Sequence, residues 1–305
     1  MDVVVLGEPL VEFSSDRALT DAEVFRLSFS GDALNASVAA AAQGARVALV
    51  TRVGDDEFGE RLIRFAAGRG VETAWMTKGG GPTGAYAVGA DPSGERAFSY
   101  MRQGSAATRL APADVDRSPV AAAGVVLLSG IAAAISESCA QAVRHAAELA
   151  SGRVVYDPNY RARLTTPERA AENLAAVGPH AALIKISSPG DSTALLGVGD
   201  PYETARACLD LGAAAVAVTR GADGVLLAER GAEPVAVPAF AAASVVDQTG
   251  AGDNFAGALA AWLARGAGLR EAVAAGAAAA SISLGGQGGT GRVATPGEIE
   301  RLLAL

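Results

Sequence analysis

The sequence predicts an α/β fold: a mostly parallel central sheet covered by helices on both faces, with a small β-sheet lid attached. Three observations predict it. Short strands made almost wholly of apolar residues, such as Val3–Leu6, Val125–Ser129 and Ala215–Thr219, alternate with helical segments, and a strand apolar on both faces is one that other layers cover on both faces. A glycine-punctuated segment between residues 79 and 105 breaks that alternation with a β-hairpin pattern. Late in the chain, Val245-Val246 leads through Gly250-Ala251-Gly252, a turn expected to visit φ > 0 at Gly252 as well, directly into a helix, the arrangement in which unpaired backbone N–H groups and a helix dipole receive an anion.

Taken in order, residues 2–6 form a buried-type strand ending at Gly7-Glu8-Pro9. Glu8 is therefore either a solvated turn residue or a polar group at the strand end where open α/β sheets hold ligands. Residues 11–29 are mixed and supply short strands at most. Ser30-Gly31-Asp32 opens an Ala-rich helix with Leu34 and Val38 inward and Gly44 as its stop. Residues 46–50 are a strand. After Val53-Gly54-Asp55-Asp56 a second helix places Phe58, Leu62 and Phe65 on one face and stops at Gly68 and Gly70.

Residues 85–89 and Arg96–Met101 alternate at period 2 around Asp91-Pro92-Ser93-Gly94, which marks a hairpin. A hairpin inserted between strand–helix units belongs to a separate small sheet. The chain thus reads as a single domain, 1–305, with a lid formed by about 9–30 and 79–105. One face of the lid is expected to cover a ligand. The other is expected to leave Ala85, Ala87, Val88 and Phe98 for pairing with a second copy, because an exposed strand edge invites another chain. Beyond Arg109 come strands at 125–129, 154–156, 182–186, 215–219, 225–228 and 233–237, and helices near 137–150, 167–177 and 202–211. The closing helix repeats Phe255, Ala258, Leu259, Trp262 and Leu263 on one face and stops at Gly266; a further Ala-rich helix follows.

A chain of 305 residues, half of them apolar, can bury one large core. The formal charge of −8 argues against nucleic acid or an anionic membrane as partner, so an anionic small molecule needs a local basic pocket. Cys139 and Cys208 are spaced like neither a disulfide framework nor a metal site, and read as buried thiols in a reducing compartment. Asp2 sits where a signal peptide carries positive charge, and the apolar run 272–284 is too short to span a bilayer, so a cytoplasmic protein is expected. With only His145 and His180 available, a zinc site or histidine-based triad is not expected, and neither a G-x-x-x-x-G-K-[ST] phosphate loop nor a G-x-S-x-G elbow occurs.

Asp253 in the first turn of the helix after Gly252 admits two readings: a capping carboxylate, or a base that takes a proton from a hydroxyl while negative charge develops on a phosphoryl group. The string Asp247-Gln248-Thr249-Gly250-Ala251-Gly252-Asp253 resembles the C-terminal signature of the ribokinase-like (PfkB) sugar kinases. The resemblance implies a three-layer ribokinase-like fold, Asp253 as catalytic base, and the amides around Gly250, Ala251 and Gly252 as the anion hole. Ser30-Gly31-Asp32-Ala33-Leu34-Asn35 resembles the family's sugar-touching Gly-Gly signature, with Ser30 in place of its first glycine; it implies Gly31, Asp32 and Asn35 as sugar contacts. Arg52-Val53-Gly54-Asp55-Asp56-Glu57-Phe58-Gly59 matches another family block, and the likeness extends over residues 2–290.

Three segments resemble the 2-keto-3-deoxygluconate kinases within that family: Leu6-Gly7-Glu8-Pro9-Leu10, Tyr100-Met101-Arg102-Gln103-Gly104-Ser105-Ala106 and Asp157-Pro158-Asn159-Tyr160-Arg161. They imply that Glu8, Tyr100, Arg102, Asn159 and Arg161 bind an acid sugar, and a carboxylate is well met by the fixed guanidinium fork. Tyr86 is either a packing residue of the hairpin or a lid contact to the sugar. For nucleotide, Thr219, Gly221 and Gly224 resemble the family's turn near the ATP phosphates, although two glycines also suit a plain hairpin. Ser188 and Asp191 stand where the family shows Asn-x-x-Glu, a magnesium and phosphate element, with Asp191 acting through phosphate or water. Ala275 opens a segment like the family's adenine side. The resemblance thus implies a kinase using ATP and Mg²⁺, with a monovalent cation as a further candidate. Its substrate would be 2-keto-3-deoxygluconate or, alternatively, fructose, another ketose, a related sugar acid or a nucleoside; a catalytically silent sugar-binding member is the reading from another class.

Overall fold

Strands without a polar face can only lie inside a sheet that is covered on both sides, and that requirement places the centre of this molecule. The computed structural model describes residues 1–90 and 96–304, so the turn Asp91-Pro92-Ser93-Gly94 lies outside the described residues. Strands β1 (Val3–Leu6), β2 (Leu10–Ser14) and β3 (Arg26–Ser30) precede helix α1 (Asp32–Ala42) and β4 (Val47–Val53). Then come α2 (Glu57–Gly68), β5 (Val71–Glu72), β6 (Met76–Lys78), β7 (Ala85–Ala90) and β8 (Arg96–Met101). The middle runs α3 (Pro112–Asp116), β9 (Val125–Ser129), α4 (Gly130–Ala134), α5 (Glu137–Leu149), β10 (Arg153–Asp157), α6 (Pro167–Val177) and β11 (Ala181–Ser187). Next are α7 (Gly190–Leu196), α8 (Pro201–Asp210), β12 (Ala215–Thr219), β13 (Val225–Glu229) and β14 (Val235–Val237). Helices α9 (Ala251–Ala264), α10 (Leu269–Ser283) and α11 (Pro296–Leu303) close the chain.

Among the described residues a ten-stranded sheet runs β14-β13-β12-β11-β10-β9-β1-β4-β5, with β6 also paired to β4. The strands from β4 across to β12 pair in parallel, whereas β13 and β14 finish that edge antiparallel. Successive residues of a strand feed opposite cores. Val3 and Val5 join α1, α9 and α10 on one face, while Val4 and Leu6 join α5, α6 and α8 on the other. Each such wholly buried Val or Leu contributes roughly 1.5–3 kcal/mol, so the polar groups left at the strand ends stand out against a strongly apolar interior. Cys139 and Cys208 are buried free thiols in that interior. No helix of the described residues is long and apolar enough to cross a membrane.

The lid is a four-stranded sheet, β3-β2-β7-β8. Its hairpin β7–β8 is as expected, but β7 joins β2 in parallel, a pairing between distant segments. The expected flat outer face of Ala85, Ala87, Val88 and Phe98 does not form, because side chains alternate across a strand. Val88 and Phe98 cluster with Leu10 and Tyr86 on one face, while Ala85 joins the main core. The second face of β2 and β3 packs on α2: Phe13 meets Phe58 edge-on at 5.8 Å, and Phe29 lies 5.0 Å from Phe65. The lid's exposed large apolar side chains are Val24 and Phe25 ahead of β3 and Tyr100 and Met101 on the edge strand β8. The short helices α3, α4, α7 and α11 are too brief for their periodicity to be read from sequence.

Candidate active site

In the sheet order, β1 has β4 on one side and β9 on the other, so the chain's winding reverses there. At such a point the crevice beyond the carboxyl ends of the strands is open to a ligand. Polar residues collect along it: Glu8 just after β1, Ser129 ending β9, Asp157 ending β10 and Lys185 near the end of β11.

The glycine turn before α9 faces this crevice. Gly250 is the residue preceding the helix and sits at φ 78, left-handed backbone that favours glycine. A Cβ there would meet the Gly289 Cα at 2.5 Å. Asp247 straps the turn: its Oδ1 accepts the Thr249 N–H at 2.8 Å and its Oδ2 accepts the Gly288 N–H at 2.7 Å. Asn254 Nδ2 donates to the carbonyls of Gly250 and Gly289, both at 2.9 Å. The expectation that Gly252 also needs positive φ is corrected by the structure, where it is an exposed residue of α9 with φ outside the left-handed region. Asp253 is not the capping residue either, since Gly250 holds that place. Its Oδ2 instead accepts Asn35 Nδ2 at 2.8 Å, which aims the carboxylate from α9 across to α1.

Asp32, at the start of α1, receives the Ser129 hydroxyl. Burial and the neighbouring Asp253 carboxylate push its carboxyl up from 3.8 to about 7. Two carboxylates that close cannot both ionise freely.

A cavity of about 540 Å³ brings these groups together with the lid. Gly31, Asp32, Asn35 and residues 250–253 line its floor. Its roof is Tyr86, Phe98 and Tyr100, with ring centroids 5.7–6.2 Å apart. The Tyr86 hydroxyl donates to Glu12, which also accepts Ser28 Oγ at 2.7 Å. At one end Arg102 pairs with the buried Glu8 and lies 5.7 Å from the Tyr100 ring. Ser105 Oγ donates to Glu8 Oε1 at 2.9 Å, so Glu8 is a buried anchor and not a solvated turn residue. Burial nonetheless raises the Glu8 pKa against the pull of Arg102. Among the described residues the buried Nε of Arg102 has no hydrogen-bond partner, and a donor left so is costly unless an acceptor arrives. The loop after β10 supplies Asn159, at φ 40, and the exposed Arg161. Arg163 Nη1 donates to the Phe98 carbonyl at 3.1 Å and ties that loop to the lid.

The residues assigned to nucleotide lie outside this cavity. Thr219 ends β12, and Gly221 and Gly224 occupy the turn to β13. Asp191 Oδ1 accepts the Tyr160 N–H at 3.1 Å, and the Ser188 hydroxyl is taken by the Gly199 carbonyl at 2.7 Å. Ala275 is wholly buried in α10. Among the described residues no three His, Cys, Asp or Glu stand close enough to hold a metal ion.

The sequence reading missed Glu12, Ser105, Ser129, Asp157, Arg163 and Lys185. Ser105 and Asp157 stood inside the family-like segments without being assigned a contact, and Lys185 left a signal as the single charge inside the apolar strand Ala181–Ser187. Lys185 Nζ donates to Asp157 Oδ2 at 2.6 Å. Burial depresses the ammonium pKa, but the carboxylates of Asp157, Asp253 and Asp191 outweigh it and hold the lysine above its ordinary value.

The chain is similar to known proteins in sequence and fold. A 2-dehydro-3-deoxygluconokinase of Thermoproteus tenax is 34% identical over 310 residues, covering 99% of this chain and 94% of the relative. Fructokinase-2 of Zea mays is 33% identical over 269 residues, covering 84% of this chain and 78% of the relative. Arabidopsis thaliana ribokinase, solved with ribose and ATP, superposes with a TM-score of 0.82 at 22% identity, covering 99% of this chain and 98% of that one. The model of the pfkB family carbohydrate kinases matches residues 2–295, and the chain belongs to that family.

Proposed function

We propose that this kinase phosphorylates the terminal primary hydroxyl of 2-keto-3-deoxygluconate, with Mg-ATP as donor and Asp253 as base. One observation carries the reading: a single cavity brings Asp253 and the Gly250 turn together with three arginines, Arg102, Arg161 and Arg163. A sugar acid has a carboxylate at one end and a primary hydroxyl at the other, and this arrangement answers both. Arg102, braced by Glu8, offers its unpartnered Nε to the carboxylate. Gly31, Asp32, Asn35, Tyr86, Tyr100 and Asn159 hold the sugar between the ends.

Asp253, steered by Asn35, takes the hydroxyl proton as the oxygen attacks. The N–H groups at the start of α9 face the phosphoryl group and stabilise its developing charge. Mg²⁺, when bound, neutralises charge between the phosphates. With no protein cage of carboxylates among the described residues, the donor set fits an ion that arrives on ATP. The nucleotide lies beyond β11 and β12, along Thr219, Gly221 and Gly224, with Ser188 and Asp191 at its phosphate end. A monovalent cation is part of the proposal without assigned ligands. The enzyme works in the cytoplasm as a homodimer joined through the lid, where the exposed edge β8 takes the place of the expected flat face.

Fructose or another ketose is the second reading, favoured by the similarity to the Zea mays fructokinase. A silent sugar sensor is disfavoured by the intact Asp253. An ATP-turnover assay with sugar acids, ketoses and nucleosides side by side tests all three. Turnover restricted to neutral ketoses overturns the sugar-acid reading, and no turnover with any of them overturns the kinase reading.

A further inference from the structure

Gly252 has no conformational reason to be glycine. Its φ lies outside the left-handed region, and inside a helix glycine costs up to about 1 kcal/mol relative to alanine. Nor does the helix's own packing or a backbone neighbour call for it. A Cβ built on it would have one neighbour within 4 Å, the Nζ of Lys185 at 3.1 Å. The missing methyl therefore makes room for one thing, the close approach of the Lys185 ammonium to the turn that lines the cavity.

That ammonium is placed where a cation is least comfortable. It is buried in the sheet, 6% exposed, and lies against the first turn of α9, whose dipole presents positive charge. Asp157 compensates for it at 2.6 Å, and Asp253 and Asp191 add their fields. A lysine ammonium carries three donors, and Asp157 takes one of them. A buried cation and a helix N-terminus converging on one open spot make a site for a strongly charged anion.

We propose that Lys185 contacts the phosphate in transit: its ammonium meets the transferring phosphoryl group of the donor at the Gly250–Gly252 turn, and Asp157 is the positioning residue that holds it there. This rests on the kinase reading given above. In the transfer, the sugar oxygen forms a bond to phosphorus as the bond to the leaving nucleoside diphosphate breaks. The hydroxyl proton passes to Asp253, and Lys185 keeps its own proton throughout. Lys185 thus neutralises charge that the turn's N–H groups only partly offset, from the side opposite the sugar. The plain structural alternative is a salt bridge that merely joins β10 to β11.

The test uses the full chain and two variants. Replacing both partners, Lys185→Met with Asp157→Asn, leaves no uncompensated buried charge, and such neutral replacements are often tolerated in stability. Gly252→Ala leaves the pair intact and puts a methyl over the ammonium at an exposed position. If Lys185 meets phosphate, the double variant loses about 10²-fold or more in kcat. It also binds β,γ-methylene-ATP about tenfold more weakly, yet keeps its unfolding temperature and its affinity for the sugar acid. Gly252→Ala reproduces the loss in part, roughly tenfold in kcat, without a change in folding. Should the double variant fail to fold, Gly252→Ala decides alone: unchanged kcat and unchanged analogue affinity overturn the proposal. A folded double variant within about threefold of the parent in both measurements overturns it as well. The analogue-binding arm needs no sugar, so a parent enzyme that phosphorylates no sugar acid sinks the substrate reading while the Lys185 contact is still judged.

Discussion

The glycine turn before α9 and the lid both line one cavity, and they are held in opposite ways. The turn at residues 250–253 is strapped from both sides by Asp247, Asn254 and Asn35, with its bonds to Gly288, Gly289 and Asp253 all between 2.7 and 2.9 Å. The lid edge is a two-stranded hairpin whose Tyr100 and Met101 are 42% and 52% exposed. The part that must place charge to within a fraction of an ångström is built on the main sheet and its helices, where packing fixes it. The part proposed to recognise the sugar sits on a separate small sheet, an arrangement suited to closing over a ligand. Changes at the turn should therefore act on kcat, and changes at the lid on which sugar is taken.

The largest expected effect separates the two most sharply. Asp253→Asn keeps the shape of the side chain and should fold normally, while kcat falls by about 10²-fold or more. Steady-state kinetics and thermal unfolding check this, and near-normal turnover would remove Asp253 as the base. On the lid side, replacing Arg102 and Glu8 together by glutamine avoids stranding a buried charge. It should lower kcat/KM for a sugar acid by about 10–10²-fold, the value of a charge-assisted hydrogen bond. Turnover of a neutral ketose should be left nearly alone. An equal loss on both substrates would dissolve the division between the two regions.

A smaller effect concerns the turn's rigidity. Gly250→Ala forces a left-handed residue and a 2.5 Å contact with Gly289, so stability should drop by at least about 1 kcal/mol. Chemical denaturation measures it, and an unchanged midpoint would mean that the strap is looser than its hydrogen bonds imply.

The smallest effect is a pH slope. The Asp32 carboxyl is raised from 3.8 to about 7 by burial and by Asp253. The folded state therefore holds this proton more tightly than the unfolded chain. Its contribution to stability is full below 3.8 and is lost as pH rises towards about 7. Asp32→Asn should flatten that part of the stability profile, and Asp253→Asn should pull its upper limit downward by removing the neighbouring charge. Identical pH profiles for the parent and Asp32→Asn would show that the two carboxylates do not interact.

Much of this was legible in the residues themselves. Apolar strands alternating with helices predicted the covered parallel sheet, and the period-2 run before Met101 predicted the hairpin. Gly250-Ala251-Gly252 announced a glycine turn opening directly into a helix. Each of these is local: backbone freedom, hydrophobic periodicity and unpaired helix-end N–H groups depend on residues a few positions apart. Where a local rule was pushed further it failed, as with positive φ at Gly252 and with Val88 and Phe98 on an outer face.

What only the tertiary structure decided was which distant groups meet. Asn35 reaches Asp253 across 218 positions of sequence, Glu8 braces Arg102, and β2 takes β7 as a parallel neighbour. Lys185 and Asp157 become partners because β10 and β11 lie side by side after a crossover through α6. No periodicity encodes such meetings. They follow from how long connections close and how strands order themselves in the sheet, which are properties of the whole packed chain. The chemistry of the turn is thus written in its own residues, whereas the charge that surrounds it is a consequence of topology.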